Sequence, residues 1–268
     1  LLIKKDKNMT KDRRIIVSYT SFPAAIQFAV LAARSVLDGS VKPDKLILYL
    51  TASQFPDGKL PSELTTLIKE NPLFEVKFYE ENIRSYTKLI PALKDFPDDI
   101  IVTIDDDIAY NKDMLKDLLR LHKKYPQAIV AHRVRHLKID APYSQWKIYS
   151  KYRYFIKTLR PRFVNLQTGV GGVLYPPNCL KPQMLDSKIF MEVAPTVDDI
   201  WFWAAAVANG TKIAPVPFSK PKQGDLNKPN EISLRIINTE GGEDINYITF
   251  KNILVKYPVI KERIENDK

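Results

Sequence analysis

The chain has 268 residues, 45% hydrophobic and 27% charged, which excludes a disordered or fibrous protein and supplies the apolar surface for one large domain or two small ones. Its net charge of +10 suits a polyanion, a phosphorylated ligand or an anionic membrane surface without choosing among them. The single cysteine, Cys179, excludes an internal disulfide and agrees with a reducing compartment, and no apolar run reaches the ~18 residues that read as a membrane span.

The opening stretch from Leu1 to Lys11 is lysine-rich and lacks the apolar core of a signal peptide; starting at Leu, it points to an N-terminus further upstream. Arg14 to Tyr19 reads as a first strand, broken by Ser21-Phe22-Pro23. Ala24 to Leu37 reads as a helix ending at Asp38-Gly39, where glycine suits the cap. Strands follow at Lys45 to Leu50 and Glu75 to Tyr79, separated by a Pro/Gly loop and a helix that starts at Ser62-Glu63. A short helix over Thr87 to Leu93 leads to a strand at Ile100. A helix over Asn111 to Lys124 with an Asn cap and a strand over Ala128 to His132 complete the series. Strands alternating with helices predict a mostly parallel α/β sheet.

After about Arg133 the rhythm breaks. Trp146, Tyr149, Tyr152, Phe155 and Leu159 recur at helical spacing among basic residues, a pattern read as a core-facing stripe with a solvated basic face; an anionic membrane surface or a sugar platform are its alternatives. Thr196 to Asn209 looks helical, Pro215 to Pro229 reads as a Pro/Lys/Asn loop, and Asn246 to Asn266 reads as helix interrupted at Pro258. Lys220, Lys222 and Lys228 in that loop belong to a solvated loop or to a lid. His122, His132 and His136 show no metal-ligand spacing.

The densest chemistry lies at Ile100-Ile101-Val102-Thr103-Ile104, a β-branched run that stops at Asp105-Asp106-Asp107. Adjacent carboxylates repel one another and cannot share the strand's core, so solvent or a divalent cation must sit among them. Ligands of open α/β sheets bind at the carboxyl ends of strands, and oxygen donors favour Mg²⁺ or Mn²⁺. Thr168-Gly169-Val170-Gly171-Gly172 is either a loop beneath a ligand or a tight turn; it lacks the Gly-Lys-Ser/Thr of a P-loop. Asp198-Asp199 opens a helix, where acids complement the dipole and also stand on a rigid platform.

The order and spacing of Asp105-Asp106-Asp107, the glycine cluster and Thr196-Val197-Asp198-Asp199 resemble the GT-A-fold glycosyltransferases, in the flavour of the bacterial family-2-like polysaccharide and lipopolysaccharide transferases. The resemblance spans roughly Arg14 to Gly210. It implies an α/β fold of the GT-A (Rossmann-like) kind, a mostly parallel mixed sheet flanked by helices. One domain would cover 1–268, with a nucleotide-binding half over about 12–135 and an acceptor and catalytic half over about 136–268. It implies transfer of a sugar from a nucleotide diphosphate sugar, a UDP-sugar first, to a hydroxyl of a bacterial surface glycan or lipid-linked glycan, with Mn²⁺ or Mg²⁺, at the cytoplasmic face of the plasma membrane and without nucleic acid.

Carried to single residues, the resemblance places the metal on Asp107, with Asp105 sharing it or facing the ribose. It places Tyr19, Thr20 and Ser21, after Ser18, in the base pocket and Lys88 near the base or phosphates. Asp106 belongs to the donor site as a bystander, and Gly171 and Gly172 lie under the donor sugar or acceptor. Asp199 matches the general base of inverting members, with Asp198 beside it. The chain reads Asp-Asp where such members often read Glu-Asp, and no histidine follows His136 to act as a late metal ligand. The competing readings are a haloacid-dehalogenase-type phosphohydrolase, whose Asp-x-Asp opens its chain, and a non-enzymatic basic module.

Overall fold

A computed structural model describes residues 13–149, 159–226 and 243–267. Its strands and helices follow the expected order through the first half, with the unexpected short strand β5 added: β1 (Ile15–Ser21), α1 (Ile26–Leu37), β2 (Lys45–Thr51), α2 (Ser62–Glu70), β3 (Phe74–Tyr79), α3 (Ile90–Asp95), β4 (Ile100–Thr103), β5 (Ile108–Tyr110), α4 (Met114–Lys124) and β6 (Ile129–Ala131). The second half adds β7 (Val134–His136), β8 (Lys147–Ile148), β9 (Asn165–Gln167), β10 (Val173–Tyr175), α5 (Ser187–Val193), α6 (Asp198–Asn209), β11 (Ile213–Pro215), β12 (Lys222–Asp225), α7 (Ile245–Lys256) and α8 (Pro258–Glu265).

Seven strands form the main sheet in the order β3-β2-β1-β4-β10-β6-β11. β1, β2, β3 and β4 run parallel, as do β6 and β11, while β10 runs antiparallel between β4 and β6. Successive strand residues face opposite sides, and both sides are apolar. Ile16, Ile47, Ile101, Ile129 and Val173 face a core shared with α6, α7 and α8. Their neighbours Val17, Leu48, Val102, Val130 and Leu174 face a second core under α1, α2 and α4. α6 is buried from Ile200 to Ala208, as befits a helix that is apolar on every side. Gly210, at φ 87°, ends it in the left-handed conformation that glycine adopts without a steric penalty, and the Arg263 guanidinium donates to the Val207 carbonyl there.

Several local expectations are corrected. Gly39 is not a left-handed cap; a Cβ there would lie 2.9 Å from the Val36 carbonyl, so close backbone approach explains the glycine. Asn111 does not cap α4: its side chain accepts from the Asp113 N–H in a turn, and the helix starts three residues later. The aromatic stripe is not helical where it is described. Trp146 is fully buried after a 3₁₀ turn, its indole N–H donates to the Ala141 carbonyl, and β8 follows directly; Tyr152 and Phe155 lie outside the described residues. Part of the expected Pro/Lys/Asn loop is strand β12, which pairs antiparallel with β5 because the edge of β5 otherwise presents unpaired backbone groups. Lys222 pairs there with Asp225, and Lys228 lies outside the described residues.

β6 is anchored at its end by His132, which is 5% exposed. Nε2 lies 2.9 Å from the Met114 carbonyl and must donate to it, so Nδ1 accepts from the Ser219 hydroxyl at 2.6 Å. Burial lowers this imidazole to about 4, against a Met114 bond that favours the cation. The unfolded chain takes up this proton below about 6.5 and the folded chain only near 4, so folding free energy is lost as pH falls through that window. His132→Gln is expected to remove up to about 3 kcal/mol of that acid sensitivity, measured as the difference in urea midpoints between pH 7 and pH 4 for the two proteins.

Candidate functional site

The parallel register of β1 and β4 pairs Ser18 with Thr103, so Tyr19-Thr20-Ser21 and Asp105-Asp106-Asp107 leave the sheet at the same edge. β10 runs the other way and pairs Val173 with both Thr103 and Ala131, which brings the preceding glycine cluster to that edge as well. Arg133 emerges there just beyond β6. The N-terminus of α6 supplies Asp198 and Asp199. Five separate stretches of sequence therefore converge on one edge, where open α/β sheets bind ligands.

Lys88 stands at the centre. It ends a 3₁₀ turn, Arg84–Lys88, and its carbonyl accepts a 2.7 Å hydrogen bond from the Ser18 hydroxyl. Its buried ammonium lies 2.9 Å from Asp198 and 3.3 Å from Asp105. Burial alone would lower its pKa, but Asp198, Asp105 and Asp199 together outweigh burial and hold it well above the usual lysine value. Asp105 is fixed through its backbone, whose N–H donates to the hydroxyl of buried Tyr110 at 2.8 Å.

Asp199 is placed differently. Both of its carboxylate oxygens accept from the Gly169 N–H, at 3.0 and 3.1 Å. Burial raises its pKa to about 7 and Asp198 adds to the effect, while Lys88 and the Gly169 N–H pull the other way. A carboxylate poised near neutrality at the carboxyl edge of a sheet is a candidate general base. Gly169 also permits the cluster's closeness: a Cβ there would meet Asp105 at 2.8 Å and the Lys88 ammonium at 3.0 Å.

The other expected residues are placed as follows. Tyr19 is fully buried and its hydroxyl donates to the Ala29 carbonyl, so its side chain packs in the core under α1 and not among the acids. Thr20 donates to the Tyr49 carbonyl, and Ser21 donates to Asp106 at 2.6 Å. That bond turns buried Asp106 back toward β1, away from its two neighbours. Asp107 stays partly exposed, and its carbonyl accepts from the Leu226 N–H, which ties the segment after β12 to the aspartate triplet. Gly171 and Gly172 have φ near +100°, where a side chain is strained, and their Cα atoms face Pro221, His132 and Met114. They shape the turn, and Gly169 is the glycine that touches the acid cluster.

Asp105 and Asp107 offer oxygen donors that suit a hard divalent cation. Among the described residues no group of three or more His, Cys, Asp or Glu side chains could hold one. A hard cation held by one or two carboxylates usually completes its shell with water and a ligand's phosphates. Sequence reasoning named the cluster that holds Gly169 but singled out Gly171 and Gly172 within it, and it missed Tyr110 and Arg133. Arg133, which donates to the Thr168 hydroxyl at 3.0 Å, could have been found as a cation directly after the fifth strand at the binding edge.

The sheet order with its antiparallel insertion, and the acid cluster at its carboxyl edge, define the GT-A fold of the nucleotide-sugar glycosyltransferases. Two solved structures share it. The mannosyltransferase PcManGT from Pyrobaculum calidifontis, in complex with GDP-Man and Mn²⁺, matches with a TM-score of 0.53 and 12% identity over 96% of this chain and 74% of its own. S. aureus TarS 1-349, in complex with UDP, matches with a TM-score of 0.52 and 12% identity over 90% of this chain and 70% of its own. No family model matches the sequence, and no curated protein matches it significantly. This fold, with the aspartate triplet after the fourth strand, sets aside the dehalogenase reading.

Between the ordinary carboxyl value of 3.8 and about 7, folded Asp199 holds a proton that the unfolded chain has released, so stability falls as pH rises through that window. Asp199→Asn carries no such loss. Its stability relative to the parent is expected to grow by on the order of 1 kcal/mol or more between pH 4 and pH 8, read from thermal or urea unfolding.

Proposed function

We propose that this protein is a metal-dependent, inverting glycosyltransferase that moves a sugar from a nucleotide diphosphate sugar, a UDP-sugar first, to a hydroxyl of a bacterial surface or lipid-linked glycan. The observation that carries the reading is the carboxylate of Asp199, locked on the Gly169 N–H and raised to about 7 beside the Lys88–Asp105 pair. The ligands in the two similar structures, GDP-Man with Mn²⁺ and UDP, support the choice of donor class. A polyanion-binding module has no use for buried carboxylates at its centre.

In this reading Asp105 and Asp107 would hold Mn²⁺ or Mg²⁺ together with the donor's diphosphate, and the cation would offset the charge that develops on the leaving group. The acceptor oxygen bonds to the anomeric carbon as the bond from that carbon to the diphosphate oxygen breaks. The acceptor's proton passes to Asp199, whose near-neutral pKa matches it to that task. The Gly169 N–H aims the carboxylate, and Lys88 holds Asp198 and Asp105 at fixed positions around it. Ser18 acts through Lys88, whose backbone it pins. Among the described residues no helix is long and apolar enough to cross a membrane. The net charge of +10 supports work at an anionic surface, which this reading puts at the cytoplasmic face.

Calorimetric titration with UDP is expected to show binding that requires Mn²⁺ and is abolished in Asp107→Ala. Failure of every nucleoside diphosphate to bind overturns the proposal, and unchanged affinity in the variant removes Asp107 from the metal site.

Asp199→Asn is expected to bind UDP as the parent does and to lose transfer by on the order of 100-fold or more. In the parent, kcat/KM is expected to rise with pH and level off above about 7, because the base must be unprotonated. Transfer that survives in the variant transfers the role of base elsewhere.

A further inference from the structure

A second charged cluster lies beside Asp199, and it has the opposite sign. Arg133 and Arg135 flank buried Val134 at the start of β7, so their side chains leave the same face of the strand. Both are half-buried. Arg133 donates to the Thr168 hydroxyl at 3.0 Å, and Arg135 donates to the Trp146 carbonyl at 2.8 Å. The Arg135 guanidinium stacks on the Tyr143 ring, 4.3 Å from its centre, and its buried Nε has no hydrogen-bond partner. Among the described residues neither guanidinium makes an ion pair. Two half-buried guanidinium ions side by side repel each other, and a bound anion would offset that repulsion.

The pair lies on the side of the general base. Arg133 reaches Thr168, and the neighbouring Gly169 N–H holds Asp199, so the run Arg133–Arg135–Tyr143 begins beside the base, where the attacking hydroxyl must approach. Burial and Arg135 lower the pKa of Arg133, while Tyr143, Asp199 and Asp105 raise it again. Arginine forks match phosphate oxygens through paired hydrogen bonds, and Thr168 adds a hydroxyl at the inner end.

We propose that Arg133, Arg135 and Tyr143 form an anion subsite for the acceptor, so that the accepting hydroxyl belongs to a molecule carrying a phosphate group close to it. The proposal rests on the glycosyltransferase reading for the word acceptor; the anion subsite itself does not. The phosphate belongs either to a lipid headgroup or to a water-soluble phosphate ester.

The probe is glycerol 3-phosphate, titrated calorimetrically into protein saturated with UDP and Mg²⁺, with glycerol as the uncharged control. Glycerol 3-phosphate is expected to bind, and Arg133→Gln and Arg135→Gln are each expected to weaken it by about tenfold, the loss of one charge-assisted bond pair. UDP affinity should stay unchanged in Arg135→Gln, and Arg135→Lys should fall between parent and Gln variant. In the parent, with no substitution at all, glycerol 3-phosphate should protect Arg133 and Arg135 from phenylglyoxal, mapped by mass spectrometry. Flotation with phosphatidylcholine vesicles, with and without phosphatidic acid, separates the sources. Retention on phosphatidic acid that is lost in the Gln variants assigns the lipid headgroup, and binding of the soluble ester alone assigns a soluble phosphate.

Binding of glycerol 3-phosphate no tighter than glycerol, or absence of protection at both arginines, overturns the subsite. Mutual exclusion of UDP and glycerol 3-phosphate overturns its assignment to the acceptor and gives the arginines to the donor. If UDP itself does not bind, the glycosyltransferase reading fails instead, and the phenylglyoxal experiment without UDP decides the subsite alone.

Discussion

The arrangement of this molecule turns on a single buried ammonium. Lys88 faces Asp105 from the edge of β4 and Asp198 from the first turn of α6, with Asp199 close enough to add to its charge balance. Its own backbone is held by Ser18 of β1. Three parts of the chain that are far apart in sequence are thus fixed to one point. Without the ammonium, carboxylates would face each other in a half-dry crevice, and burial of an unpaired charge costs several kcal/mol. The lysine offsets that repulsion, so acids can be packed densely at this edge. Asp106, though in the middle of the triplet, is withdrawn to Ser21 and adds no further carboxylate to those around the ammonium.

Much of the first half was legible in the sequence because its strands carry enough residues to display their period. Ile16 and Val17, or Ile101 and Val102, already divide into the two faces that the sheet buries. The aspartate triplet and the Asp198-Asp199 pair were legible because carboxylates beside apolar runs need an explanation. What escaped was short or set by partners distant in sequence. β10 is only Val173–Tyr175, and nothing in three residues announces that they run antiparallel between β4 and β6. β12 is polar and exists because β5 offers it an edge. Tyr19 looked like a pocket residue by its position, yet its face of the strand belongs to the core. Among the glycines, Gly171 and Gly172 announced themselves as a pair, but which glycine touches the acids depends on the turn that their positive φ values create.

Charge is laid out in alternation across the binding edge. Asp105 and Asp198 face the buried Lys88, the Gly169 N–H holds Asp199, and Arg133 reaches Thr168 next to that glycine. The overall excess of +10 is therefore not reflected at the centre of the site, where acids dominate. Under the proposed function, a polyphosphate approaching such an edge would meet repulsion from its carboxylates unless a divalent ion accompanied it, a property that net charge alone would not convey.

The place of β10 has a consequence for how the chain is made. On a ribosome, β4 and β6 emerge well before residue 173, yet they cannot pair with each other across the width of a missing strand. Until β10 arrives, the nascent sheet stops at β4, and β6 waits as an orphan with both edges bare. The turn that delivers β10 is the one that carries Gly169. The strand that joins β6 to the sheet and the N–H that holds the Asp199 carboxylate are therefore delivered by one turn, ahead of the α6 residues that meet them.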